Sequence, residues 1–213
     1  MAELVFDCIG AKAERYAVVP SLTLQLRITE TSGEPVDAIA LRCQIRIEPH
    51  RRRYSPVEAE RLRDLFGETD RWAETLKPLQ FTTLSVMVPG FRNATTQNLA
   101  VPCSYDLEIA ATRYFDAVDD GEIPLLMLFS GTVFSTKGGQ RSVQQVPWSK
   151  ESSFGLPMKV WRETVDAHFP NRAWLPVSRE TLDAVQRFKS RNALPTWDGA
   201  VAALLEQFEQ QQQ

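Results

Sequence analysis

The 213-residue chain is 43% hydrophobic and carries 24 Lys and Arg against 27 Asp and Glu, a net charge of -3. That is enough apolar material for a full core, and it excludes both a disulfide-stapled mini-scaffold and the strong general field of a protein that grips nucleic acid along its whole surface. Cys8, Cys43 and Cys103 stand far apart with no C-x-x-C pair, which excludes a zinc ribbon or thioredoxin-like site and fits a reducing compartment.

Leu4, Phe6 and Cys8 alternate with Val5 and Asp7 in a short first strand, and Gly10 to Tyr16 reads as a polar link. Leu22, Leu24, Leu26 and Ile28 then alternate with Thr23, Gln25, Arg27 and Thr29, the cleanest period-2 segment of the chain. Ser32-Gly33-Glu34-Pro35 predicts a turn that brings the next strand back as an antiparallel neighbour. In that strand Ile39, Leu41, Cys43, Ile45 and Ile47 point one way and Ala40, Arg42, Gln44, Arg46 and Glu48 the other, so one face is core and the other wet. After Pro49 come His50, three consecutive arginines and Tyr54, and then Ser55-Pro56-Val57-Glu58, a reciprocal capping arrangement with proline at the first helical position. The helix runs to Gly67 with an apolar edge of Leu62, Leu65 and Phe66. Trp72 and Leu76 predict a further turn or two, making 55–77 a helical insertion.

Phe81 to Val88 returns to strand and Pro89-Gly90 ends it, after which Asn93 to Asn98 reads as a polar loop. Tyr105, Leu107 and Ile109 alternate in another strand, followed by an acidic turn from Asp116 to Gly121. Ile123 to Phe129 and Thr132 to Phe134 are apolar on both faces, the pattern of a strand covered on both sides, and Ser142 to Val146 forms the last strand. After Pro147 helices are predicted at Met158 to His168, Arg179 to Ser190 and Trp197 to Glu209, the last two capped by Ser178 and Thr196. Strands that do not alternate with helices favour a mainly β fold with α additions: an antiparallel immunoglobulin-like β-sandwich over 1–147 with one inserted helix, and a C-terminal helical tail over 148–213 packed on it.

No residue pattern names an activity. The two histidines, His50 and His168, stand in no metal-ligand spacing, and no phosphate-cradling glycine loop occurs, so no metal or cofactor is expected. Ser130-Gly131 lacks the glycine two residues upstream that a nucleophile elbow requires, and Asp116, Asp119, Asp120 and Glu122 lack calcium-loop spacing, so no catalytic residue is assigned. The strongest polar concentration is Arg42, Arg46, His50, Arg51, Arg52, Arg53 and Tyr54. Arginine forks bind carboxylate or phosphate bidentately, so this set is the candidate partner-binding surface; the competing reading is a solvated edge paired with Glu58, Glu60 or the acidic turn. Trp148, Trp161, Trp174 and Trp197, four of five tryptophans, fall in the last third, either as interface anchors or as helix-to-sheet packing.

The stretches Leu41-Arg42-Cys43-Gln44-Ile45-Arg46-Ile47-Glu48-Pro49 with Arg52-Arg53-Tyr54, Val86-Met87-Val88-Pro89-Gly90-Phe91, Leu128-Phe129-Ser130-Gly131-Thr132-Val133-Phe134 and Leu194-Pro195-Thr196-Trp197-Asp198 resemble an uncharacterised bacterial family, chiefly actinobacterial. Members of that family are encoded beside uptake nickel-iron hydrogenase genes. The resemblance implies an accessory or assembly partner of a hydrogenase subunit or maturation factor, and it brings no catalytic residues with it. The expectation is therefore a non-catalytic cytoplasmic interaction module; the amino-terminal residues carry acids and no long apolar core, and no apolar run reaches the roughly 20 residues of a membrane helix. The alternative is an enzyme or small-ligand binder with a site between sandwich and tail. Nucleic acid is not an expected partner, and no feature sets an oligomeric state.

Overall fold

A computed structural model describes residues 2–14, 16–103, 109–137, 139–167 and 177–211. Strands β1 (Leu4–Ala13), β2 (Ser21–Glu30) and β3 (Val36–Ile47) are followed by a 3-10 turn at Pro49–Arg51 and three short helices, α1 (Pro56–Arg61), α2 (Arg63–Phe66) and α3 (Trp72–Thr75). Next come β4 (Leu79–Phe91), β5 (Ala94–Pro102), α4 (Ile109–Ala117), β6 (Glu122–Lys137), β7 (Gln140–Gln145), β8 (Glu151–Pro157) and α5 (Met158–Asp166), and then α6 (Arg179–Arg191) and α7 (Trp197–Gln211). The chain divides into two compact units, Met1–Asn171 and Arg172–Gln213.

The first unit is mainly antiparallel β with several helices. Three strands form one sheet in the order β1-β2-β5; a second sheet has the order β4-β3-β6-β7, with β8 also paired to β6. The inward residues of both sheets join one hydrophobic core, Leu22, Leu24, Leu26 and Ile28 from β2 meeting Ile39, Leu41, Cys43, Ile45 and Ile47 from β3. Phe6 of β1 stacks on Phe129 of β6 at 4.4 Å between ring centroids and an interplanar angle of 15°. Fully burying side chains of this size contributes about 1.5–3 kcal/mol each, which is why the strict period-2 stretches define the fold. Gly131, at φ 147°, lies so close to β3 that a Cβ there would stand 2.1 Å from the Ala40 carbonyl oxygen.

Several expectations are corrected. β2 and β3 are not neighbours: β2 lies between β1 and β5, and β3 between β4 and β6. Thr31 N–H donates to the Glu3 carbonyl and the chain then crosses from one sheet to the other, so each strand buries its single apolar face in the shared core. The supposed polar link after Cys8 continues β1, because a bulge between Cys8 and Gly10 absorbs one residue and breaks the alternation. Asn93–Asn98 is not a loop; Asn93, at φ 64°, makes a tight turn and β5 begins at Ala94. β4 runs on through Pro89 and Gly90, which an edge strand tolerates. Of the strand expected over Tyr105 to Ala110, Tyr105 and Leu107 lie outside the described residues, and Ile109 opens α4, whose Ala111, Tyr114 and Phe115 are buried at helical spacing. β8 was not foreseen; it extends the second sheet past Pro147.

Within the second unit both predicted caps are in place: Ser178 Oγ accepts from Thr181 N–H at 3.2 Å, and Thr196 Oγ1 from Gly199 N–H at 3.0 Å. His168 and Trp174 lie outside the described residues.

Candidate protein-docking face

From Ala38 to Arg46 the even-numbered residues of β3 turn away from the core, and strand register sets what lies beside them. Arg42 is flanked by Ser85 of β4 and Ser130 of β6. Arg46 sits between Gln80 and Leu126, and Ser153 of β8 extends that row. Arg51, from the 3-10 turn, reaches back onto the same row, its Nη1 donating to Ser153 Oγ at 3.0 Å. Three of the arginines singled out from sequence therefore share one sheet face. Gln44 links them to the sheet: it accepts from Arg46 Nη2 at 3.3 Å and donates through Nε2 to Gln80 Oε1 at 2.7 Å.

Further along the same strands the face turns apolar. Ala40 lies between Met87 and Thr132, and Ala38 between Pro89 and Phe134, with Val143 of β7 opposite Phe134. Met87 and Val143 are 62% and 63% exposed. A turn at Pro147–Lys150, closed by Lys150 N–H to the Pro147 carbonyl, lies between the β7 and β8 pairings on β6 and carries Trp148 at 91% exposure. The two readings of the tryptophans divide here, for the Trp148 indole is held in water on a tight turn whereas Trp161 is buried and stacked on Phe115 at 4.0 Å.

Arg52 and Tyr54 face inward. Arg52 donates from Nη1 to the Glu122 carbonyl at 2.9 Å, and from Nη2 to Glu58 Oε1 at 2.7 Å and to the Asp120 carbonyl. Only 12% of its side chain and 7% of that of Glu58 meet solvent, so the pair clasps the helical segment after β3 to the acidic turn before β6. The capping box is complete, Glu58 accepting from Ser55 N–H at 2.8 Å and Ser55 Oγ from Glu58 N–H at 3.2 Å. Burial would push the Glu58 carboxyl up, but the amides of Ser55 and Asp119 and the Arg52 guanidinium hold it below the usual carboxylate range. Tyr54 and Tyr114 share a 2.7 Å hydroxyl bond, and Tyr54 also donates to the Pro49 carbonyl at 2.8 Å. Burial pushes the Tyr114 hydroxyl up to about 12. His50 Nε2 stands 3.5 Å from the buried Glu48 carboxylate, and Arg53 is exposed.

Two clefts open on the first unit, one of about 290 Å³ lined by Glu3, Gln144 and Lys150 among others, and one of about 220 Å³ lined by Asp116, Trp161 and Arg162. Neither contains Arg42, Arg46 or His50. Among the described residues no three His, Cys, Asp or Glu side chains are grouped to hold a metal ion. Burial raises the Cys43 and Cys103 thiols to about 12 and that of Cys8 to about 11, so all three are protonated at neutral pH. No helix among the described residues is long and apolar enough to cross a membrane.

This is a mainly antiparallel β protein with helical additions and an exposed arginine-bearing sheet face. It belongs to the family of unknown function DUF6084, which it matches over residues 1–213. No curated protein matches it. Among solved structures it is similar to the CARDB domain of a Pyrococcus furiosus protein in complex with di-metal ions, at 7% identity and a TM-score of 0.29, covering 73% of this chain and 92% of that one. A β-glucosidase from Kluyveromyces marxianus is similar at 12% identity and a TM-score of 0.27, covering 73% of this chain and 15% of that one. β-Glucosidase 3B from Thermotoga neapolitana in complex with glycerol follows at 10% identity and a TM-score of 0.26, with 72% and 17% covered.

Proposed function

We propose that the protein is a non-catalytic cytoplasmic interaction module whose two sheets face each other as an immunoglobulin-like sandwich and whose outer five-stranded face docks an acidic protein surface. The observation that carries this reading is the shared face of Arg42, Arg46 and Arg51, graded into Met87, Phe134 and Val143. Arginine forks give orientation and specificity for carboxylates, and the apolar end supplies burial, the mixture typical of interface cores and rims. Exposed Trp148, on the turn beside this face, has the character of an anchoring residue. The Phe6–Phe129 stack supports the sandwich reading, and three protonated thiols suit a reducing cytoplasm. The resemblance noted from sequence points to a nickel-iron hydrogenase subunit or maturation factor as the partner.

The test is capture of hydrogenase subunits and maturation factors on immobilised full-length protein, comparing the native chain with an Arg42→Ser, Arg51→Ser variant and with Trp148→Ala. Retention should fall at least tenfold in both variants and weaken with added salt in the native chain. Retention equal in all three proteins would refute the docking face.

A further inference from the structure

In the second unit the described residues of α6 and α7 form a helical hairpin that buries little of its own apolar surface. α6 and α7 are joined through a left-handed Ala193 at φ 47°, with Leu194 N–H bonded back to the Lys189 carbonyl and Lys189 Nζ 5.8 Å from the centre of the Trp197 ring. The local signals that make it a hairpin are therefore complete. Its burial is not: among the described residues of the two helices only Ala200 is buried, and none of α6. Helices of 13 and 15 residues are marginal in water unless an apolar face is packed.

The unpacked face is specific. Trp197, Val201, Leu205 and Phe208 recur at intervals of four, four and three along α7, which puts them on one side of the helix, and they are 46%, 46%, 59% and 59% exposed. Leu182 of α6 adds a further 43% exposed apolar side chain. Charge says what can cover them. α6 carries Arg179, Arg187, Lys189 and Arg191 against Glu180 and Asp183, whereas α7 carries Asp198, Glu206 and Glu209 and no Lys or Arg. Each helix is the electrostatic complement of the other, and in one hairpin each has a single neighbour.

We propose that the α6–α7 hairpin is a dimerisation module, covered by the hairpin of a second copy of this chain. In a two-fold antiparallel four-helix bundle α6 of one chain lies on α7 of the other, so both new contacts set a basic helix against an acidic one while the α7 stripes enter the shared core. None of the β-sheet arginines takes part in this proposal, and its test reads mass alone.

Sedimentation equilibrium of the full-length chain between 1 and 100 µM should give twice the 24.1 kDa chain mass at the upper end. Leu205→Glu with Phe208→Glu should remain monomeric at 100 µM. Because that variant could lose the hairpin altogether, charge-swapped chains decide the matter. Arg187→Glu with Arg191→Glu should be monomeric alone, as should Glu206→Arg with Glu209→Arg, since each then opposes like charges in a self-pair. An equimolar mixture of the two should recover the dimer within about threefold of the native dissociation constant. A native chain that stays monomeric at 100 µM, whether its hairpin is bare, folded back on its own chain or reserved for another protein, overturns the proposal. So does a dimer insensitive to the swaps, or swapped chains that fail to pair.

Discussion

Arg42 and Arg52 are ten residues apart in one chain and face opposite fates. Arg42 stands on a strand face between two serines and is exposed; Arg52 is sunk beside the buried carboxylate of Glu58 and the carbonyls of Asp120 and Glu122. The same side chain is a recognition group in one place and an internal fastener in the other. What separates them is whether a carboxylate has been desolvated alongside, because a buried charge must be answered where it lies and an exposed one is free to answer a partner.

The largest test of that contrast is Arg52→Ala. Removing one member of a buried pair strands Glu58, which costs on the order of 3 kcal/mol and should lower the melting temperature by roughly 6–12 °C. A shift of under 2 °C in calorimetry would show Arg52 to be as dispensable as a surface arginine. The next test concerns acid. The Glu58 carboxyl lies below its ordinary value of 4.5 in the folded chain, so its contribution is present above that pH and is lost as pH falls through the folded value. Glu30 behaves alike: burial opposes ionisation, but the Ser32 hydroxyl and the amides of Glu3, Ser32 and Gly33 bring it down to about 2, extending the loss from pH 4.5 to about 2. Glu58→Gln should be less stable at pH 7 by about 1–2 kcal/mol and lose less on acidification than the native chain. Parallel urea midpoints of the two proteins from pH 7 to pH 3 would contradict it. The smallest effect belongs to Arg42→Ala, expected to move stability by no more than about 0.5 kcal/mol in urea titration. A larger loss would mean that Arg42, too, is a fastener.

Legibility from sequence follows the same division between local and distant causes. β2, β3 and the capped helix at Ser55 are readable because their signals, strict alternation and a capping box, are written within a few residues. α6 and α7 are readable for the same reason, through Ser178 and Thr196. β5 was hidden because Ala94 to Asn98 carry no large apolar side chain, and pairing with β2 rather than residue preference makes it a strand. The second half of β1 was hidden by one bulge, and the β2–β3 neighbourhood by the rule of adjacency, which holds often but not here. At the candidate face the shared side of Arg42 and Arg46 was legible from alternation. That Arg51 joins them, and that Arg52 does not, depends on Ser153, Asp120 and Glu122, 68 to 102 residues away.

Gly131 has a consequence for the longest strand. β6 takes β8 along its first half and β7 along its second, and Gly131 falls between the two pairings, where a Cβ would collide with the Ala40 carbonyl. A single methyl group there would act as a wedge, prising β6 from β3 at midspan and tilting the apolar end of the sheet against its arginine end. The one hydrogen atom that serves this residue as a side chain thus lets β6 stay paired with β3 from the arginine end of the face to its apolar end.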